Sequence, residues 1–480
     1  MKLHNTLGNA KEELRTLQPD VVKLYTCGLT VYSQPHIGNW LGYLYWDVLV
    51  RVLEDEGYTV DRTQNITDVG HLTSDDDSGE DKMEKGAKAE GTTAWEVAER
   101  YIAVAEHEGF ELLGLKRPTH LVRATDYIEQ QIAFAKALED KGLTYVIEGE
   151  GLYFDTSKLH DYGKLAKLDI SGLEAGKRVA VNGKRLVTDF AIWKLSPQGS
   201  KRDMEWDSPW GKGFPGWHLE CSVIARETLG DEIDIHTGGI DHIPVHHTNE
   251  IAQTEGLTDR PFARVWLHNN HIKIDGTKIS KSIGNVVTLG DIVQKGYDLN
   301  AFKLLAFSKH YRTEGNFDWT IMEAAANRLK NWQTTAALRH QTHDTLDDDD
   351  KKHTEHDASL LATVGAIKEA LANDLDTPAA LAIIDQAFSS LENVSVDHIN
   401  RHSLVALLEA IKQLFGIDLI GTTPDISDDQ KRRILERERA RDIKDWRRSD
   451  EIRDELSAQG IRLNLSLIHI SEPTRQAEIS

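Results

Sequence analysis

Cysteine is nearly absent. Two residues in a chain of 480, Cys27 and Cys221, exclude a disulfide scaffold and are read as buried hydrophobes or as metal ligands. Long apolar runs are missing too: no stretch reaches the roughly eighteen residues a membrane helix needs, and the best candidate, Tyr43 to Leu53, is interrupted by Asp47 and Arg51. The first residues are polar, without the apolar centre of a signal peptide, so a cytoplasmic protein with no membrane partner is expected. Positive charge is in deficit. With 56 Lys and Arg against 78 Asp and Glu, the formal net charge is −22. That rules out nucleic-acid binding through bulk basicity and leaves only a local basic patch.

What remains is ordinary globular material. Hydrophobic residues at 40% and charged residues at 28% argue against disorder, and the length implies about two to four domains. Val21 to Thr26 reads as a strand that Cys27-Gly28 ends, Trp40 to Glu56 carries apolar residues at helical spacing, and Thr59 to Ile66 reads as a second strand. Strand, glycine turn, helix and strand open a parallel, doubly wound α/β sheet. His71 to Gly91, with Asp75-Asp76-Asp77 inside, reads as a solvated loop. Helices are expected over Ala94 to Leu113 and Asp126 to Gly142, and short strands between Leu143 and Val187 read as an insertion. Leu267 to Asn285 reads as loop. Beyond Trp332 the pattern is helical, with Asp347 to Lys352 as a linker and a bundle over Leu360 to Leu391 and Ser403 to Leu414. The expected partition is 1–120 and 193–265 for the two halves of the sheet domain, 121–192 for the insertion and 266–332 for a loop-bearing region. A linker at 333–352, a bundle at 353–420 and a basic end at 421–464 complete it. Residues 465–480 resemble a translated sequencing-library adapter and are set apart from the fold.

Three groups of residues carry chemistry. His36-Ile37-Gly38-Asn39 stands where the first long helix begins. There the helix N–H groups point outward, and a glycine permits close approach of a phosphate. Lys278-Ile279-Ser280-Lys281-Ser282 lies between Gly276 and Gly284; two lysines three apart on such a loop suit a triphosphate and a departing pyrophosphate. His246 and Glu250, four apart, share one helix face. With Cys27 and Cys221 they form a set of two thiols, an imidazole and a carboxylate that tetrahedral zinc accepts, although His242 and His247 are equally visible in the sequence. The local basic patch exists: Lys431 to Arg448 holds nine basic residues against four acidic ones, with Trp446 among them. It reads either as a surface for unstacked bases or as an ion-paired helix.

The first two groups together resemble the paired signatures of class I aminoacyl-tRNA synthetases. Thr26-Cys27-Gly28-Leu29-Thr30-Val31-Tyr32, Asn65-Ile66-Thr67-Asp68, Pro215 to Ser222 and His246 to Gln253 are similar to cysteinyl-tRNA synthetases, and the resemblance runs from about Leu3 to Asn464. It implies a Rossmann-like class I core with a connective insertion, an all-α C-terminal region ending in an anticodon-binding segment, and a monomer. It further implies zinc at Cys27, Cys221, His246 and Glu250, and an amino-acid pocket lined by Gly28, Thr67 and Trp217. Asp241 is implied either as partner of the substrate ammonium or as a helix cap. ATP with Mg2+ would be held by His36, Gly38, Asn39, Lys278, Ser280 and Lys281, and the implied partners are L-cysteine and tRNA(Cys). Asn39 and Ile279 stand where His and Met are more usual in the family; an amide also donates to phosphate, and the second exchange is close to volume-conserving. A ligase with the same core that couples cysteine to an amino sugar is the competing expectation, disfavoured by the long helical region with its basic end.

Overall fold

The structure is a computed structural model and describes residues 1–70, 81–168, 183–197, 199, 202–280, 283–340, 355–391, 394, 399–463 and 470–471. The expectations for Lys281, Asp75 to Asp77, the run Asp347 to Lys352 and, apart from Ile470 and Ser471, the tail lie outside the described residues. Two compact units are present: residues 1–295 with 311–316, and residues 296–310 with 317–480.

The first unit is built on five parallel strands, β1 (Val21–Thr26), β2 (Thr59–Ile66), β3 (His120–Arg123), β4 (Ile233–Gly239) and β5 (Ala263–Asn269). Their order is β3-β2-β1-β4-β5. The order reverses between β1 and β4, so right-handed crossovers place helices on both faces and open a crevice at the carboxyl ends of those two strands. The buried carboxylate Asp234 of β4 is held by the backbone, accepting from the N–H of Leu17 at 2.6 Å and of Lys23 at 2.8 Å. Helix α1 (Ile37–Asp55) follows β1 and is buried on nearly all sides, including Trp40, Leu44, Trp46 and Leu49. Its one buried carboxylate, Asp47, accepts from Arg51 at 2.6 Å and from the Lys116 N–H at 2.7 Å. Helix α2 (Trp217–Leu229) leads into β4, and α3 (His246–Thr258) joins β4 to β5.

Between β3 and α2 the chain makes a separate antiparallel sheet in the order Thr144–Ile147, Gly151–Phe154, Phe190–Leu195 and Gly213–Pro215. Two expected loops prove to hold regular structure. Within His71 to Gly91, Lys82–Glu90 is a helix: the Asp81 carboxylate accepts from the N–H groups of Met83 and Glu84, and Gly91 ends it at φ 66°. Among its described side chains the buried ones are Met83 and Ala87, too short a stripe to register as a period in a polar sequence. Within Leu267 to Asn285, Ile272–Ile274 and Thr277–Lys278 pair as a hairpin. Asp275 and Gly276 turn it at φ 49° and 71°, the left-handed pair that a two-residue turn requires. The helix expected over Ala94 to Leu113 is α-helical to Glu106 and then π-helical over His107–Leu112.

The second unit is helical, with Trp319–Ala336, Glu355–Ala372, Thr377–Leu391 and Arg401–Phe415 followed by the pair Asp428–Asp442 and Trp446–Ala458. Ile367, Leu371, Leu381, Ile384, Leu404, Leu407 and Ile411 are buried among these helices. The final pair turns at Lys444, φ 62°, around a small core of Ile452, Leu456 and Ile461.

Candidate active site

The crevice at the reversal point of the sheet holds a cavity of about 500 Å³. Its wall is formed by Cys27 and Gly28 after β1, the turn Tyr32 to Asn39, Tyr43 and Trp46 of α1, Trp217 of α2, Gly238 to His242 after β4, Asn269 to Ile272, and Lys278 to Ser280. Thus Gly28, His36, Gly38, Asn39, Trp217, Asp241, Lys278 and Ser280, far apart in sequence, face one space. Thr67 does not. It is 2% exposed behind the wall, where it donates to Glu220 at 3.0 Å and accepts from Asn65 at 2.9 Å. Asn65 also accepts from the Gly28 N–H at 2.7 Å. Thr67 therefore braces the Gly28 backbone through Asn65. A side chain on Gly28 would begin 1.5 Å from the Asn65 carbonyl oxygen, so only glycine fits that approach.

His36 caps α1 reciprocally: its Nδ1 accepts from the Asn39 N–H at 3.3 Å, and Asn39 Oδ1 accepts from the His36 N–H at 3.0 Å. Asn39 thus shapes the turn with its oxygen, which leaves its NH₂ as the donor end. Ile279 lies against this turn, since a methyl on Gly38 would meet Ile279 Cδ1 at 2.9 Å. Asn285 fastens the Lys278–Ser280 segment, accepting from the Ser280 N–H at 2.8 Å and donating to the Lys278 carbonyl at 3.1 Å. The two sequence signatures are in contact.

Behind Cys27 the wall is solid. Ligand atoms of Cys27, Cys221, His246 and Glu250 lie within 4.8 Å of one another, all buried, and the same holds for Cys27, His236, His247 and Glu250. Glu250 is common to both, with Oε1 3.0 Å from His246 Nε2 and Oε2 2.9 Å from His236 Nε2. Burial acts against the charge of Glu250, but His236 and His246 outweigh it and hold the carboxyl down at about 2. Burial likewise disfavours the imidazolium of His246, yet Glu250 and Cys221 raise it to about 10. The Cys27 thiol is pushed up by burial, and Cys221 and Glu250 beside it add to that. Two sulfurs, an imidazole and a carboxylate at this spacing fit a tetrahedral zinc ion, whose binding would displace protons from these donors.

The sequence offered His242 and His247 beside His246 but did not point to His236 or His268. His247 bridges Cys27 Sγ, at 3.4 Å, and His268, at 2.7 Å, and His268 reaches Thr6 at 2.8 Å. His218 Nδ1 is 3.0 Å from His246 Nδ1, and the Trp217 ring lies 4.4 Å from that of His246. Burial drives His247 and His268 well below the ordinary imidazole range, and His242 to about 4. His247, against Cys27, and His268, against His247, stand behind the donors as outer partners of metal ligands do.

In the second unit, the basic stretch is partly spent on internal ion pairs. Arg448 meets Glu436 at 2.7 Å, Arg433 meets Glu436 at 3.1 Å, and Lys431 meets Asp425 at 2.8 Å. Arg432, Arg439 and Lys444 are exposed, as are Ile443 and Trp446 at the turn between the two helices.

The family model for the class I (C) tRNA synthetase catalytic domain matches residues 13–327. The fold is similar to that of a Mycobacterium tuberculosis methionyl-tRNA synthetase, with TM-score 0.60, 16% identity and coverage of 87% of this chain and 93% of that one. It is also similar to an Agrobacterium radiobacter leucyl-tRNA synthetase, with TM-score 0.61, 12% identity and 86% coverage of each chain. Fold and site together are those of a class I aminoacyl-tRNA synthetase. Full-length relatives narrow the choice: a Burkholderia lata cysteine–tRNA ligase is 42% identical over 96% of this chain and 94% of its own length. One from Treponema denticola is 39% identical over 96% and 97%. The chain belongs to the cysteine–tRNA ligase family.

Proposed function

We propose that the protein activates L-cysteine with ATP, giving cysteinyl-adenylate and pyrophosphate, and transfers the cysteinyl group to the terminal ribose of tRNA(Cys). The observation that carries this reading is the group Cys27, Cys221, His246 and Glu250 behind an amino-acid-sized end of a nucleotide-sized cavity. A zinc ion held there supplies a thiophilic Lewis acid that prefers the substrate's sulfur, as thiolate, to the hydroxyl of serine. Selection by sulfur chemistry overcomes the poor discrimination of isosteres by size alone.

The chain's own residues do the rest by position and charge. Trp217 and Gly28 bound the amino-acid end. Asp241, on the cavity wall, receives the substrate ammonium and turns its carboxylate toward the α-phosphate. His36 and Asn39, with the N-terminus of α1, hold the phosphates, while Lys278 and Lys281 neutralise charge moving onto pyrophosphate. Gly38 lets the phosphates approach the backbone, and Ser280 adds a donor. No covalent enzyme intermediate is needed. Mg2+ enters with ATP. The exposed face around Lys444 and Trp446 takes unstacked tRNA bases, and the enzyme acts as a cytoplasmic monomer.

The test is charging of a tRNA bearing the cysteine anticodon with labelled cysteine and ATP, with serine as control. ATP-dependent, cysteine-specific charging is expected. Equal charging with serine would refute the thiolate reading, and adenylate formation without charging would refute the acceptor.

A further inference from the structure

The π-helical turn His107–Leu112 has no part in the chemistry above, yet it carries a buried carboxylate toward the nucleotide end of the cavity. Such turns cost backbone hydrogen-bond quality and mark functional sites more often than plain helix does. Glu108, 5% exposed, accepts from Gln34 Nε2 at 3.2 Å through Oε1 and from Trp40 Nε1 at 2.8 Å through Oε2. Gly109 lets the turn come this close, because a side chain there would meet the Trp40 ring at 3.1 Å. Gln34 and Trp40 bracket His36. Gln34 lies on the cavity wall two residues before it, and the Trp40 N–H donates to the His36 carbonyl at 3.3 Å. The Trp40 ring also lies 5.9 Å from Tyr43, whose hydroxyl donates to the Cys27 carbonyl at 3.1 Å.

We propose that Glu108 is a positioning residue for the nucleotide end of the site: its two oxygens hold Gln34 and Trp40 on either side of the His36 turn and so fix where the phosphate donors point. A buried carboxylate is costly unless its acceptors are used, and here both go to donors that flank the same turn. A mere structural strap could have been an apolar contact. The inference rests on reading this cavity as the ATP site.

Direct binding separates the two ideas. Dissociation constants for ATP and for cysteine are measured separately by calorimetry on the wild type, Glu108→Ala, Gln34→Leu and the double variant. Losing hydrogen bonds to a charged group should weaken ATP about tenfold or more in Glu108→Ala, with cysteine affinity unchanged. Gln34→Leu should weaken ATP by a smaller factor, and the double variant should bind no worse than Glu108→Ala, because both changes remove one shared contact. Unchanged ATP affinity in Glu108→Ala, or equal loss of ATP and cysteine binding, would overturn the proposal while leaving the reading of the site intact. Absence of ATP binding by the wild type would sink that reading and the proposal with it. If Glu108→Ala does not fold, exposed Gln34 still decides the matter: Gln34→Leu with wild-type ATP affinity overturns the proposal.

Discussion

Replacing Gly38 with alanine sets two effects of opposite sign against each other. In an open helix the change stabilises by up to about 1 kcal/mol, because glycine loses more backbone freedom on folding. Here the new methyl would sit 2.9 Å from Ile279 Cδ1 and 3.0 Å from Cε1 and Nδ1 of His36. The Ile279 methyl can swing aside by a rotamer change. The His36 ring cannot, because its Nδ1 is the acceptor that caps α1. Displacing it forfeits a cap contribution of about 0.5–2 kcal/mol, which cancels the helix gain, so the melting temperature should shift by no more than a few degrees. The larger effect falls on ATP. Displacing the His36 ring shifts the turn that presents His36 and Asn39, and the Ile279 rotamer change alters the contact between that turn and the Lys278–Ser280 segment. A loss of about 1.4–2.7 kcal/mol at the transition state corresponds to a 10–100-fold drop in kcat/KM for ATP. Cysteine-dependent ATP–pyrophosphate exchange reads this out, with the KM for cysteine as internal control. A Gly38→Ala protein that melts higher and exchanges at the wild-type rate would show that the two signatures do not work as one packed unit.

Other expectations follow from separate parts of the molecule. Cys221→Ala should bind less than about a tenth of an equivalent of zinc by elemental analysis and lose cysteine-dependent exchange while still binding ATP, since one thiolate of four donors is gone; full zinc content in the variant would refute the assigned ligand set. Burial raises the Asp68 carboxyl to about 6 despite its bonds from Thr125. A raised folded-state pKa gives a contribution to stability that is complete below the unfolded value of 3.8 and is lost as pH rises through 6. Asp68→Asn should therefore flatten the fall in urea midpoint between pH 4 and 6, and an unchanged slope would place the titration elsewhere. Trp446→Ala, at a position 57% exposed, should raise the KM for tRNA about tenfold through lost stacking and leave pyrophosphate exchange untouched; a change in exchange would count against a role confined to tRNA.

Much of this could be read before any coordinates. The strands Val21–Thr26 and Thr59–Ile66 stand at their expected bounds, because alternation and a glycine break are local signals. The His36 turn and the Lys278 loop stood out because a glycine at a helix start and two lysines three apart are residue choices that suit phosphate. The missed helix Lys82–Glu90 had its signals in Asp81 and Gly91, and the missed hairpin had Asp275-Gly276. In both, a polar composition outweighed the caps and turns that decide short elements.

By itself the sequence determined the parallel sheet and the helical second half, and it named the residues proposed to bind phosphate and metal, since these readings follow from short-range period and from donor chemistry. Only the tertiary structure decided which of them meet. It set Thr67 behind Asn65 and Glu220 rather than on the cavity wall, gathered His236, His247 and His268 around Cys27 and Glu250, and turned Glu108 toward Gln34 and Trp40. The reason is physical: burial and contact between residues tens to hundreds of positions apart are set by how strands order and helices cross, and no local pattern carries that information.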